Sequence, residues 1–217
     1  MDRGLARTPI RKRSSPTSSI LDWGFRTRRK SASMREYGIV ILGAGGVGKS
    51  ALTARFVTNE FPEHYNPTIE EQYRREIEVD GEVMALEILD TAGAEQFTAL
   101  NEIYITSGTG FLLVFSLTEE ASLRNLEDIR QQIIHIKSKE TDIPIVIVGT
   151  KMDLYTEREV NRQAIQEFAD RWNVHFFETS AKKNWHVQDV FEDLTRQMRK
   201  RYPTPPKKRR KKDCIIM

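Results

Sequence analysis

A single cysteine, Cys214, stands among the 217 residues, close to the C-terminus. No internal disulfide can form, and the chain suits a reducing compartment. The longest apolar run is about seven residues, IPIVIVG (143–149), too short to cross a bilayer. The N-terminus lacks the apolar core of a secretory signal. The four histidines, at positions 64, 135, 175 and 186, show no metal-ligand spacing. No stretch interleaves aromatic with basic residues in the manner of a nucleic-acid fold, so nucleic acid is not an expected partner. There is no internal repeat.

What the chain does have is charge, and it is unevenly placed. The net +3 conceals a segment 1–34 with nine Lys/Arg and two acids, and a segment 199–217 with nine Lys/Arg and one acid. The middle, 35–198, holds 16 basic and 28 acidic residues. An acidic globule therefore lies between two basic tails, the pattern of segments that meet anionic partners. Residues 1–34 are rich in Ser, Arg and Pro, lack periodicity and read as a disordered extension. Their composition also suits a mitochondrial transit peptide, against which the C-terminus argues. Met34 is a candidate second start.

From residue 37 the pattern alternates. YGIVILG (37–43), FLLVFSL (111–117), IPIVIVG (143–149) and VHFFETS (174–180) read as strands. EQYRREIEVD (71–80) and EVMALEIL (82–89) read as a hairpin turning at Asp80-Gly81. Helical spacing covers 47–59, 122–137, 158–172 and 187–201. Strands alternating with helices predict an α/β fold, a mostly parallel sheet with helices on both faces. The expected division is a basic extension 1–34, a globular domain 35–201 and a polybasic tail 202–217.

GAGGVGKS (43–50) follows the first strand and opens a helix, the context that G-x-x-x-x-G-K-[ST] requires. Glycines at 43, 45, 46 and 48 let backbone N–H groups of Gly43, Ala44, Gly45, Gly46, Val47 and Gly48 turn toward phosphate, with the helix N-terminus adding positive character at Ser50 and Ala51. Lys49 reaches the outer phosphates and Ser50 is a Mg²⁺ ligand. Asp90 ends a strand at the rim where ligands of open α/β sheets gather, placed to hold that metal through a water, and Gly93 is placed to give its N–H to the terminal phosphate.

The base is read by TKMD (150–153). A carboxylate at Asp153 accepts from guanine N1–H and the 2-amino group together, whereas adenine N1 is itself an acceptor. Lys151 lays its aliphatic stem over the ring and ties this loop to the cradle. In TSAK (179–182), the Ala181 N–H is placed to meet the guanine 6-oxo group.

GAGGVGKS, PTIE (67–70), DTAG (90–93), TKMD and ETSAK (178–182) together resemble the Ras superfamily of small GTPases, over about residues 35–200. The Ras/Rap branch is the most similar. YNPTIEEQYR (65–74) looks like its effector loop, and AEQFTAL (94–100) is similar to Rap, which has Thr-Glu-Gln there. The fungal bud-site-selection GTPases are a close Rap-like group. The resemblance implies a P-loop NTPase with a six-stranded sheet, GTP or GDP as bound nucleotide, and Mg²⁺. It implies that Phe61 packs beside the base, that Tyr65 and Pro67 belong to the loop over the phosphates, and that Thr68 meets Mg²⁺ and the terminal phosphate only in the GTP state. Leu154, Ser180 and Lys182 join the base site on the same ground. Exchange factors, Rap-type activating proteins and effectors with ubiquitin-like Ras-binding domains are the implied partners. The effectors would add a strand beside residues 70–79, their basic residues meeting Glu70 and Glu71.

Two residues depart from the pattern. Thr150 stands where the Asn of NKxD is usual, although Rac-type members also carry TKxD. Ala94 stands where Ras has the Gln that orients the attacking water, so slow intrinsic hydrolysis is expected. Rap-type activating proteins insert an Asn in trans, and Gln96 matches a Rap glutamine. Ala94 also keeps a rival reading open, a guanine-nucleotide-binding module that hardly turns over. A P-loop kinase would lack an acceptor site.

The chain ends KKRRKKDCIIM. C-a-a-X with terminal Met points to farnesylation of Cys214, and the run Lys207 to Lys212 supplies the second membrane signal that one lipid needs. The expected location is the cytoplasmic face of the plasma membrane, on anionic lipid.

Overall fold

The computed structural model describes residues 34–62, 70–91, 99–138 and 140–203. Six strands form one sheet: β1 Arg35–Leu42, β2 Glu70–Val79, β3 Glu82–Thr91, β4 Gly110–Ser116, β5 Ile145–Thr150 and β6 His175–Glu178. Their order is β2-β3-β1-β4-β5-β6. Only β2 runs antiparallel to its neighbour; every other pairing is parallel. The β2–β3 hairpin turns on Asp80 and Gly81, both with positive φ (53° and 77°), and pairs Val79 with Glu82. Two positive φ values match the right-handed twist of the flanking strands.

The inner strands β4 and β5 are buried along their whole length, as their unbroken apolar runs require of a sheet covered on both faces. On one face lie α1 Lys49–Thr58 and α6 Val187–Arg201, which bury Leu52, Phe56, Phe191 and Leu194 against Ile39, Ile41 and Leu112. On the other lie α2 Ala99–Ser107, α3 Glu120–Arg124, α4 Leu126–Ile136 and α5 Arg162–Trp172, burying Ile105, Ile129, Ile133 and Trp172 against Val40, Leu113 and Ile147. Each such large apolar side chain contributes about 1.5–3 kcal/mol. Phe56 stacks on Phe191 at 3.7 Å, and the Arg75 guanidinium lies 4.2 Å over Phe56, which holds β2 to this layer.

Several boundaries differ from expectation. The helix expected at 122–137 begins at Glu120 and is divided at Asn125, where the next helical bond, Ile129 N–H to Asn125 C=O, stretches to 3.4 Å. The helix expected from 158 begins at Arg162, because the Asn161 side chain accepts from the Ala164 N–H and caps it. Residues 159 and 160 instead donate backbone N–H groups to Leu117 C=O. Strand β6 is shorter than 174–180. Helix α2 was not foreseen: ALNEIYITS is short and rich in β-branched residues, so its apolar pattern favours no single period. Trp172 packs in the core, edge-on to Phe168, whereas Trp185 is 46% exposed.

Candidate functional site

Because β1, β3, β4, β5 and β6 are mutually parallel, their C-terminal ends share one rim. That rim receives GAGGVGKS after β1, Asp90 on β3, TKMD at the end of β5 and TSAK after β6. The motifs lie far apart in sequence, and the sheet brings them together.

The loop 43–48 turns on Gly43, Gly46 and Gly48, with φ of 155°, 70° and 98°. At Gly43 the requirement is also steric: a Cβ there would stand 2.1 Å from the Val114 carbonyl oxygen. Gly48 caps α1, so Lys49 and Ser50 occupy the first turn, where the helix dipole favours an anion. Lys49 is 5% exposed, and its ammonium crosses the loop to donate to the carbonyls of Gly43 (3.0 Å) and Ala44 (2.8 Å).

Asp90 is fully buried. Among the described residues no donor forms a well-made hydrogen bond to either carboxylate oxygen, although the Ser50 hydroxyl is close enough to favour the ionised form. Burial raises the Asp90 pKa to about 6, opposed by Ser50 and Lys49. Burial lowers the Lys49 pKa to about 8, opposed by Asp90. A carboxylate with unspent acceptor capacity, beside a hydroxyl and a desolvated ammonium, fits a cation–phosphate ligand: Ser50 and Asp90 on the Mg²⁺ side, Lys49 on the phosphates. Mg²⁺, when bound, supplies neutralisation of phosphate charge.

These shifts have a direction in pH. A raised acid pKa makes ionised Asp90 costly, a penalty that is absent below its unfolded pKa and develops as pH rises through about 6. A lowered lysine pKa makes protonated Lys49 costly, a penalty that is absent above its unfolded pKa and is fully developed once pH falls below about 8. Between these values the nucleotide-free protein carries both penalties, and a cation with phosphates relieves both. Binding of Mg²⁺·GDP should therefore release a proton near pH 5 and take one up near pH 9. Calorimetry in buffers of different ionisation enthalpy checks this; an exchange of zero protons at both pH values would contradict it.

On the base side, Thr150 is buried, and its hydroxyl lies against two carbonyls: Val47 of the cradle, and Phe115 on β4 at 2.9 Å. One hydroxyl proton serves one of them at a time. Among the described residues Thr150 thus ties the base loop to the cradle. Lys151 adopts φ 61°, turning the chain so that the Met152 N–H meets Thr179 C=O at 2.9 Å. Asp153 Oδ1 accepts from the Ser180 hydroxyl at 2.5 Å, and Ser180 Oγ accepts from the Lys183 N–H at 3.0 Å. Ser180 and Trp185 exchange backbone bonds (3.2 and 2.9 Å). The Leu154 N–H closes onto Lys151 C=O at 2.9 Å. Beneath this loop Glu178, its side chain 6% exposed, takes two hydrogen bonds from Arg158 at 2.7 and 2.8 Å. Sequence reasoning did not single out Arg158. Phe61 follows α1 and is 37% exposed.

Tyr65, Pro67, Thr68, Gly93, Ala94, Gln96, Cys214 and the run Lys207 to Lys212 lie outside the described residues. The elements flanking the phosphate-sensing loops are described. Tyr104 on α2 donates to Glu70 Oε2 at 2.8 Å, joining the start of β2 to the helix that follows residue 98. Glu71 accepts from Tyr73, so both acids expected to meet effectors already have intramolecular donors.

A phosphate cradle at the first strand–helix junction and a carboxylate-bearing base loop on the same rim define a P-loop nucleotide-binding protein. The sequence matches the model of the Ras family over residues 38–200, and the chain belongs to that family. It is accordingly a small GTPase of the switch type, in a family whose members in general bind GTP and GDP with Mg²⁺ and work with exchange factors, activating proteins and effectors.

Proposed function

We propose that this chain is a Rap-like, membrane-anchored switch whose GTP state is long-lived until an activating protein ends it. The observation that carries the reading is the pairing of an intact nucleotide site with a missing side chain. Lys49, Ser50, Asp90, Asp153 and Ser180 converge on one rim, while the water-positioning place holds Ala94, whose methyl neither donates nor accepts. Binding is preserved and hydrolysis lacks its orienting amide. Changing Ala94→Gln supplies that amide and should raise intrinsic hydrolysis about tenfold, equivalent to about 1.4 kcal/mol of transition-state stabilisation.

The AEQFTAL segment supports the Rap-like assignment, and an activating protein that donates an Asn is the partner it calls for. β2 stands at the edge of the described sheet, an available template for an effector strand. Loss of the terminal phosphate would release the loops around Thr68 and Gly93.

The tail's sequence supports a location at the cytoplasmic face of the plasma membrane. A farnesyl group on Cys214 anchors marginally, and each base from Lys207 to Lys212 adds about 1 kcal/mol on an anionic leaflet. The variant Cys214→Ser should be soluble on cell fractionation, and neutralising the basic run should move the protein from plasma to internal membranes. Sedimentation of the Ser variant with membranes would contradict the lipid anchor.

A further inference from the structure

Arg55 belongs to none of the nucleotide-binding motifs, yet it is bonded to one of them. From the last turn of α1 its Nε donates to Ala181 C=O at 2.6 Å and its Nη2 to Lys182 C=O at 3.3 Å, across 126 and 127 residues of sequence. Its Nη1 donates to Asn59 C=O at 2.6 Å, where α1 ends in a left-handed turn (φ 60°). A guanidinium is planar and permanently charged, with donors in a fixed fork, so the two contacts to the loop set its spacing from the helix while the third fixes the guanidinium against the end of α1. Ala181 is thereby held from both sides: Ser180 by its paired bonds with Trp185, and the Ala181 and Lys182 carbonyls by Arg55. The same helix begins with Lys49 and Ser50. Six residues separate Lys49 from Arg55, roughly 9 Å along the axis.

We propose that Arg55 is a positioning residue for guanine recognition. It fastens the 180–182 loop to the helix that carries the phosphate ligands, holds the Ala181 N–H in register with the 6-oxo group, and so governs how fast bound nucleotide leaves. The proposal rests on the guanine-site reading of Asp153 and Ala181. An arginine that served only to close the end of α1 would affect stability without affecting how the base is read.

The test uses the full chain loaded with GDP or with 6-thio-GDP, whose sulfur is a poorer acceptor for the Ala181 N–H. Release rates are followed by nucleotide exchange, with and without EDTA. Arg55→Ala should release GDP about tenfold to a hundredfold faster, the loss of charged hydrogen bonds to the loop. The ratio of 6-thio-GDP to GDP release rates should move toward one, and the acceleration produced by EDTA should stay as in the wild type, because the metal side is untouched. Arg55→Lys, which keeps a donor, should recover part of the effect. Arg55→Gln decides the matter if the Ala variant does not fold. GDP release at the wild-type rate, or equal acceleration of both nucleotides, overturns the proposal. A wild-type chain that retains no GDP overturns the guanine-site reading itself.

Discussion

The variant Asp153→Asn should lose guanine nucleotide affinity by about a hundredfold or more and gain affinity for xanthine nucleotides. On the guanine-site reading the carboxylate would accept from the guanine N1–H and 2-amino group, and an amide NH₂ would face that 2-amino group donor to donor. The structure specifies how the amide should settle. The Ser180 hydroxyl donates to Asp153 Oδ1 at 2.5 Å, so the amide oxygen is favoured at that position and its NH₂ takes the place of Oδ2. There it can donate to the extra oxo group of xanthine. Competition binding with GDP, XDP and ADP checks the exchange of preference. Wild-type affinity for ATP equal to that for GTP would contradict the assignment of Asp153.

Gly43→Ala should be far more damaging than Gly45→Ala. A Cβ at Gly43 meets the Val114 carbonyl oxygen at 2.1 Å, on a backbone with φ 155°, whereas a Cβ at Gly45 has nothing within 4 Å. The contact is with β4 backbone at the centre of the sheet, which cannot move aside without disturbing the pairing of β1 with β4. We expect a loss of about 3 kcal/mol or more for Gly43→Ala, a fall in Tm of roughly 6–12 °C for a domain of this size, and loss of co-purifying nucleotide. Gly45→Ala should melt close to the wild type. Equal melting temperatures would show that the first strand and its loop are not held as described.

The sheet was legible because its central strands are uninterrupted apolar runs and its hairpin carries Asp80-Gly81, a pair suited to two positive φ values. The nucleotide site was legible in the same way: cradle glycines, Asp90 and Asp153 are dictated by local chemistry at strand ends. Hidden from sequence were the residues whose partners are remote. Arg55, Arg158 and the Thr150 tie to Val47 act across 126, 20 and 103 residues, and no local period or composition marks them. Helix α2 escaped because its β-branched residues pull against its packing, and tertiary contacts through Tyr104 and Ile105 decide the outcome. Trp185 closes the base loop through its backbone and leaves its ring 46% exposed, a role that no pattern of side chains marks.

Single-turnover hydrolysis of GTP by the full-length protein, alone and with a Rap-type activating protein, addresses the central claim most directly. Without partner, the wild type should hydrolyse slowly, about tenfold below Ala94→Gln. With a Rap-type activating protein, which brings its own amide, the wild type should be strongly accelerated, whereas a Ras-type protein offering only an arginine should do little. Wild-type protein that hydrolyses GTP alone as fast as Ala94→Gln, or that ignores the Rap-type partner, would contradict the account.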